Sequence, residues 1–214
     1  MKKKRKRTRR RLEMKVYMIR HFTTRGNQEK RYIGATNEHV LPEEWEKQKE
    51  RYPKVEAVVV SPLIRCVETA KILYAGVPVY LSGKMQERDF GLFENRNAEE
   101  LQKFPWYQKW QDSFGRLPFP AGEPKESFQK RCLRGFKESV DLLVERDAMS
   151  AAFIVHSGTI TSILEGFHIE NELSAIENGD GIVLEIDSER WKNGKREVTL
   201  KETSMFMRET AVSL

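Results

Sequence analysis

Reactive side chains follow three short apolar runs of the sequence, at the point where each run ends. The set consists of Arg20 and His21 after residues 16–19, Ser61 and Arg65 after residues 57–60, and His156 after residues 152–155. Arginine matches phosphate oxygens with paired N–H groups, and a histidine with one unprotonated ring nitrogen is a nucleophile. Brought together, these residues would form a cationic pocket that suits a dianionic phosphate.

The three runs also indicate how the reactive residues are brought together. Each run is continuous rather than alternating, which is typical of strands covered on both faces of a parallel sheet. Helical patterns lie at residues 62–74, 123–145 and 159–167, and Ser61-Pro62 provides a cap residue and a first-turn proline for the first of them. Ligands bind beyond the carboxyl ends of the strands in such sheets. We therefore predict an α/β fold, a three-layer α/β/α sandwich with a mostly parallel central sheet.

Two later segments modify this plan. Residues 182–186 and 198–201 have strand patterns and are joined through Trp191 and an Asn193-Gly194 turn signal, which predicts a hairpin at one sheet edge. Residues 95–122 are rich in aromatic residues and proline. They are interpreted as a helical excursion over the active site, a substrate-facing insertion rather than a second domain. Its aromatic cluster, residues 104–110, either packs the insertion onto the body or lines the substrate entrance.

The positive charge of the chain is concentrated in one tail. The formal net charge is +6, but residues 2–11 carry nine lysines and arginines and no acid. Removing these nine from the 38 basic residues leaves 29 against 32 acidic residues, so the body is mildly acidic. We assign residues 1–13 to a basic disordered tail and residues 14–214 to a single domain. The tail is interpreted as a solvated extension, an extension upstream of a start at Met14, or, less favoured, an arm for nucleic acid or anionic lipid.

The composition limits the classes of protein to which the chain can belong. Two cysteines, Cys66 and Cys132, do not make a disulfide framework, and no Cys/His cluster has zinc-ligand spacing. No apolar run approaches the roughly 20 residues that cross a bilayer, and no signal peptide is recognised. We therefore expect a cytoplasmic protein that holds no metal and no cofactor and does not bind membranes.

The motifs together resemble those of the histidine phosphatase, or phosphoglycerate mutase-like, superfamily. The matching stretches are residues 20–27 (an Arg-His motif with an Asn six residues after the His), 61–70 (a second arginine motif), 87–94 (an acidic motif) and 155–160 (a second histidine motif). Weaker matches at residues 31–36 and 120–123 resemble the branch that includes α-ribazole phosphatases. The resemblance follows the family's order from about Lys15 to Glu185.

The resemblance implies a role for each residue of the pocket. His21 would be the nucleophile, with Arg20, Arg65 and His156 neutralising the phosphoryl oxygens and Glu87 protonating the leaving group and then activating water. Asp89 and Glu94 are nearby alternatives for the proton donor. Asn27 would add a neutral donor to the phosphate, and Thr24, Ser157 and Gly34 complete the implied phosphate and substrate contacts. We also expect burial to raise the pKa of Glu87.

One departure from the family pattern bears on activity. Phe22 stands where the family has glycine, so we expect a bulky side chain beside the phosphate. The resulting prediction is a metal-independent phosphomonoesterase, similar to α-ribazole phosphatases, that hydrolyses a small phosphorylated metabolite through a phosphohistidine on His21. Phosphoglycerate mutase-type transfer and a non-catalytic phospho-ligand binding module are the alternatives, the latter favoured by Phe22. The edge hairpin would also allow a homodimer.

Overall fold

A six-stranded sheet organises the chain. The computed structural model describes residues 13–46, 49–170 and 176–204. The strands are β1 (Glu13–Arg20), β2 (Ala57–Val60), β3 (Val79–Leu81), β4 (Ser150–Val155), β5 (Gly181–Asp187) and β6 (Thr199–Glu202). They lie in the order β3-β2-β4-β1-β5-β6. The first four are parallel to one another, β5 pairs antiparallel with β1, and β6 pairs antiparallel with β5. The predicted mostly parallel sheet with an edge hairpin is confirmed.

The register of the central strands brings the reactive residues to one edge. Arg20 pairs with Val155, and Val60 pairs with Ile154, so the three strands end at the same level. Because parallel strands share their carboxyl edge, the residues that follow them emerge side by side. This places His21, Ser61 and His156 next to one another.

Seven α-helices in the described residues complete the layers. They are α1 (Arg25–Gln28), α2 (Ile64–Leu73), α3 (Ala98–Leu101), α4 (Pro105–Asp112), α5 (Lys125–Glu145), α6 (Ser157–Gly166) and α7 (Ser188–Lys192). Short 3-10 turns lie at Pro42–Glu46, Lys49–Arg51, Gly83–Met85 and Gly91–Phe93. Side chains of α5, α6 and α7 form the core on one sheet face, and those of α2 form the core on the other. The fold is therefore the predicted three-layer sandwich.

The helix and hairpin boundaries differ from the predicted ones for local reasons. Helix α2 begins at Ile64 after the N-cap Leu63, and α5 begins at Lys125 after Pro124. Helix α6 begins at Ser157, two residues earlier than expected. The hairpin strands are joined by α7, because the Asp187 carboxylate accepts from the Arg190 N–H and starts a helix there.

The chain ends lie partly outside the described residues. Glu13 is already the first residue of β1 and pairs with Asp187, so the strand begins one residue before the predicted domain boundary. Residues 1–12, which hold the whole basic run, lie outside the described residues. In the described part of the chain, no helix has the length and apolar character that crossing a bilayer requires.

Candidate active site

His21 is held in a single tautomer at the end of β1. Its Nδ1–H donates to the Phe22 carbonyl (2.7 Å), and its Nε2 accepts from the Arg65 Nε–H (3.2 Å). A carbonyl only accepts and a guanidinium only donates, so the proton is on Nδ1 and the lone pair on Nε2. Burial, followed by the charge of Arg65, holds the pKa of His21 well below its ordinary value. The ring is therefore neutral, with Nε2 available as a nucleophile.

Arg65 reaches His21 from the first turn of α2. Its side chain is fully buried, and its two terminal nitrogens donate to the carbonyls of Gly34 (2.8 Å) and Thr36 (2.7 Å). Burial is the largest influence on its pKa, which is lowered from the ordinary value. All three nitrogens of the guanidinium thus have partners, which fixes a positive charge against the His21 ring.

The loop that holds Arg65 is itself held by Glu94. The Glu94 carboxylate accepts from the backbone N–H groups of residues 34, 35, 36 and 90 and from the Thr36 hydroxyl. Five donors occupy its oxygens, so Glu94 supports the loop and is not suited to be the proton donor. Asp89 is exposed and accepts from the Gly91 N–H.

His156 packs against His21 from the neighbouring strand. The two ring centroids lie 5.1 Å apart in an edge-to-face arrangement. The Nε2 of His156 is 2.9 Å from the Ser61 hydroxyl. Ser61 does not cap α2, because it lies two residues before the N-cap Leu63. Burial and the nearby Arg65 keep the pKa of His156 well below its ordinary value. The buried Cys66 thiol lies 3.5 Å from the same nitrogen.

Glu87 approaches from the opposite side of the site. One carboxylate oxygen accepts from the Arg88 N–H (2.8 Å) and the other from the Gly158 N–H at the start of α6 (3.1 Å). Burial is the largest influence on Glu87 and raises the pKa of its carboxyl group, as the sequence predicted. A Cβ at position 158 would lie 2.5 Å from this carboxylate, so a side chain there would displace Glu87.

A cavity of about 530 Å³ opens next to these groups. Its lining combines the predicted site residues Arg20, Asn27, Glu87 and Ser157 and the adjacent Gly158 with other residues that include Tyr32, Phe90, Phe119, Phe128, Arg88 and Lys125. His21, Arg65 and His156 are at most 3% exposed and do not line it. Arg20 also donates to the Ile176 carbonyl (2.6 Å), and burial lowers its pKa.

The inserted segment contributes to the cavity through few residues. Gly115 and Phe119 line the cavity, and the Arg88 guanidinium lies 4.7 Å from the centre of the Phe119 ring. The other aromatic rings of the segment mainly pack on one another and around Phe93 and Tyr32. No aromatic residue of the cluster at 104–110 lines the cavity, so of the two uses that the sequence left open this cluster shows packing.

Two of the predicted substrate contacts have supporting positions instead. The Thr24 hydroxyl accepts from the Asn27 N–H as the N-cap of α1, and Thr24 does not line the cavity. Gly34 is likewise outside the cavity lining, because its carbonyl holds Arg65 and its Cα lies against the Arg88 carbonyl. Both residues position neighbours that the pocket requires.

The expectation that the Phe22 side chain lies beside the phosphate is wrong. Its ring is fully buried in the core on the α2 side of the sheet, edge-to-face with Tyr52 at 6.0 Å. Only its carbonyl faces the site, as the acceptor for His21. The side chain therefore does not crowd the phosphate position, because the backbone turns it into the core.

Two polar residues that the sequence did not single out support the site. Asn178 donates to the His21 carbonyl and to the Asn27 Oδ1, both at 3.0 Å. Arg131 of α5 donates to the carbonyls of Lys84, Gln86 and Glu87 and pairs with Glu123. Neither follows a strand of the sheet, so the pattern that revealed the nucleophile gave no signal for them.

Comparison with known proteins gives a consistent set of matches. A family model described as histidine phosphatase superfamily (branch 1) matches residues 16–198. No curated protein sequence gives a significant match. The structure of the alpha-ribazole phosphatase from Shigella flexneri has a TM-score of 0.72 at 19% identity, covering 89% of this chain and 96% of that chain.

Two further solved structures share the fold. A mycobacterial glucosyl-3-phosphoglycerate phosphatase has a TM-score of 0.71 at 16% identity, covering 89% of this chain and 98% of that chain. A phosphoglycerate mutase from Bacillus anthracis has a TM-score of 0.69 at 17% identity, with 89% and 92% covered. At these identities the likeness is one of fold.

Proposed function

The chain belongs to the histidine phosphatase superfamily, and we propose that it is a metal-independent phosphomonoesterase. The substrate is a small phosphorylated metabolite, and the intermediate is a phosphohistidine on His21. The observation that carries this proposal is the tautomer of His21, whose proton is held on Nδ1 by the Phe22 carbonyl. The Nε2 lone pair then faces a buried guanidinium, so an unprotonated ring nitrogen and a fixed positive charge lie side by side.

The first step transfers the phosphoryl group to His21. Nε2 forms a bond to phosphorus while the bond from phosphorus to the leaving oxygen breaks, and the Glu87 carboxyl gives its proton to that oxygen. The burial that raises the pKa of Glu87 favours the protonated form that this step needs. Arg65 now donates to Nε2, so its Nε–H must turn to a phosphoryl oxygen when the substrate enters.

The second step releases phosphate. The Glu87 carboxylate takes a proton from water, the water oxygen attacks phosphorus, and the N–P bond breaks to restore the His21 lone pair. Arg20 and Arg65 offset the charge on the phosphoryl oxygens in both steps, and His156 and Asn27 add neutral hydrogen-bond donors. The protein thus supplies the positive charge that a metal ion provides in other phosphatases.

The leaving group occupies the rest of the cavity, beside the site residues. Its walls combine the aromatic residues Tyr32, Phe90, Phe119 and Phe128 with the cations Arg88 and Lys125. Such walls suit a ring-bearing metabolite, and the α-ribazole phosphate implied by the name of the Shigella relative is one candidate. The binding-module alternative loses its support, because the Phe22 ring lies in the core.

Replacement of the nucleophile tests this proposal. His21→Ala is expected to abolish release of 4-nitrophenolate from 4-nitrophenyl phosphate, while wild-type turnover persists in the presence of a chelator. His39→Ala, at a side chain that is 72% exposed, is the matched control and should retain activity. Mass spectrometry under alkaline quench should find one phosphoryl group on the wild-type peptide that contains His21.

The outcomes separate the candidate functions. Activity retained by His21→Ala would rule out this nucleophile, and loss of turnover on chelation would rule out the metal-free mechanism. Interconversion of phosphoglycerates that outpaces phosphate release would identify a mutase instead.

A further inference from the structure

Asn178 connects three acceptors of the nucleophile side of the site. Its Nδ2 lies 3.0 Å from the His21 carbonyl, 3.4 Å from the Phe22 carbonyl and 3.0 Å from the Asn27 Oδ1. The residue is half-buried and precedes β5, far in sequence from the residues it touches. It therefore joins the turn before β5 to the end of β1 and to α1.

The partners determine which way each amide points. A backbone carbonyl only accepts, so the atom of Asn178 that faces His21 must be the NH₂ group. That NH₂ group, and the Thr24 N–H at 3.3 Å, both require an acceptor from Asn27, which must be its Oδ1. Two independent donors thus assign the same orientation to the Asn27 amide. Its Nδ2, the donor end, is left for the cavity that Asn27 lines.

The turn that carries Asn178 is fixed on both sides. The Gly179 N–H donates to the Arg20 carbonyl (3.1 Å), and the Arg20 N–H donates to the Asp180 carbonyl (2.9 Å). The Tyr52 hydroxyl also donates to the Gly179 carbonyl (2.8 Å). Asn178 is therefore held at a set distance from the strand end that carries the nucleophile, so its amide is a fixed reference for Asn27.

We propose that Asn178 is a positioning residue that orients the Asn27 amide, so that Asn27 presents a donor to the phosphate. This inference rests on the proposed function only in taking phosphate as the ligand. Without Asn178, only the longer bond from the Thr24 N–H would hold the Asn27 oxygen, so the amide would turn its oxygen toward the anion more often, where an acceptor is repelled. Asn178 also donates to the His21 carbonyl. We expect the loss of this bond to matter less, because the His21 ring keeps its hydrogen bond to the Phe22 carbonyl.

A double-mutant cycle tests the proposal on the full-length protein. Asn178→Leu keeps the shape and adds no charge, Asn27→Ala removes the amide it acts on, and the third variant combines both. The dissociation constant of inorganic phosphate, measured by calorimetry, is the primary quantity, with kcat and KM for 4-nitrophenyl phosphate beside it. Asn193→Leu, at an exposed residue whose amide donates to the Glu189 carbonyl, is the control.

The expected result is a rise of about fivefold in the phosphate dissociation constant and in KM for Asn178→Leu, since one oriented hydrogen bond is lost. The kcat should change less than KM, because contacts made equally to substrate and transition state affect KM alone. In the Asn27→Ala background the same substitution should have no further effect. Asn193→Leu should match the wild type.

Two results would overturn the inference. One is an unchanged phosphate affinity in Asn178→Leu, and the other is an equal weakening by this substitution with and without the Asn27 amide. Wild-type protein that binds phosphate but hydrolyses no ester would count against the proposed function alone, because the binding cycle would still decide the role of Asn178. Thermal melting of each variant identifies any that fails to fold, and Asn178→Ser then replaces the leucine variant.

Discussion

The two sides of the site are built in different ways. On the nucleophile side, His21 and His156 directly follow paired strands, so the register of the sheet sets their separation. On the acid side, Glu87 follows β3 and a 3-10 turn, and its place is set by side chains that reach its backbone. In the proposed reaction, the strand ends carry the charge that binds phosphate, and the loop carries the proton. The rigid element fixes the reacting nitrogen, while long-range hydrogen bonds position the group that changes its protonation.

This contrast extends to the electrostatics. Burial lowers the pKa of His21 and His156, and burial raises the pKa of Glu87. Desolvation disfavours the charged form in each case, so the same physical cause favours the neutral form of all three groups. A neutral histidine is a nucleophile and a neutral carboxyl is an acid, so one buried environment prepares both sides of the reaction.

The largest expected effect comes from removing the proton on the acid side. Glu87→Gln should lower kcat about a hundredfold for an alkyl phosphate, whose leaving oxygen needs a proton, and much less for 4-nitrophenyl phosphate. With the wild type, turnover of the alkyl ester should fall as pH rises through the raised pKa of Glu87, because the donor loses its proton. It should also fall at acid pH below the ordinary histidine range, where His21 becomes protonated.

The measurement is a pair of pH profiles for the two esters. In Glu87→Gln the fall at high pH should disappear while the fall at low pH remains. Glu99→Gln, at an exposed glutamate of α3, serves as the control. Equal losses for both leaving groups would mean that Glu87 is not the donor and would remove the contrast between the two sides.

A smaller effect is expected from the helix that holds the acid segment. Arg131→Met removes the donors to the carbonyls of Lys84, Gln86 and Glu87 and breaks the pair with Glu123. We expect kcat for the alkyl ester to fall about tenfold, because a misplaced acid transfers its proton less well, with little change for 4-nitrophenyl phosphate. Lys130→Met, at the neighbouring exposed position, should have no effect on either ester.

A double-mutant cycle that combines Arg131→Met with Glu87→Gln tests whether Arg131 acts through Glu87. If Arg131 acts through Glu87, the double variant should be no slower than Glu87→Gln alone. A fall in kcat of the same size on both esters would instead show general destabilisation of the fold. The melting temperature of Arg131→Met would then also be lower than that of the wild type.

The same contrast explains what the sequence allowed us to predict. Strands β2 and β4 and the second half of β1 are largely buried on both faces, so they appear as continuous apolar runs with their reactive residues directly after them. Strand β3 has three residues, of which Val79 and Leu81 are exposed, and it left no such pattern. The acid segment after it was found only through the family resemblance.

The supporting residues could not be found in this way. Asn178, Arg131 and Glu94 act on backbone groups that lie between 44 and 157 positions away or in a separate loop, and such contacts depend on the completed fold. A half-buried asparagine or arginine has no periodicity that marks it. Thr24 and Gly34 were correctly found near the site, but sequence alone could not separate contact with substrate from support of a neighbour.

The smallest expected effect concerns Phe22, which lies between the core and the nucleophile. Its ring is in the core while its carbonyl holds His21, so side chain and backbone serve different parts of the molecule. Phe22→Leu should lower the free energy of unfolding by about 1 kcal/mol, as near-conservative core replacements do. The kcat/KM should stay within about twofold, because the carbonyl is unchanged. Urea unfolding and 4-nitrophenyl phosphate turnover measure the two quantities, with Ile72→Val in α2 as a core control. A tenfold change in kcat/KM with unaltered stability would place the ring in the substrate's path and contradict the division between core and site.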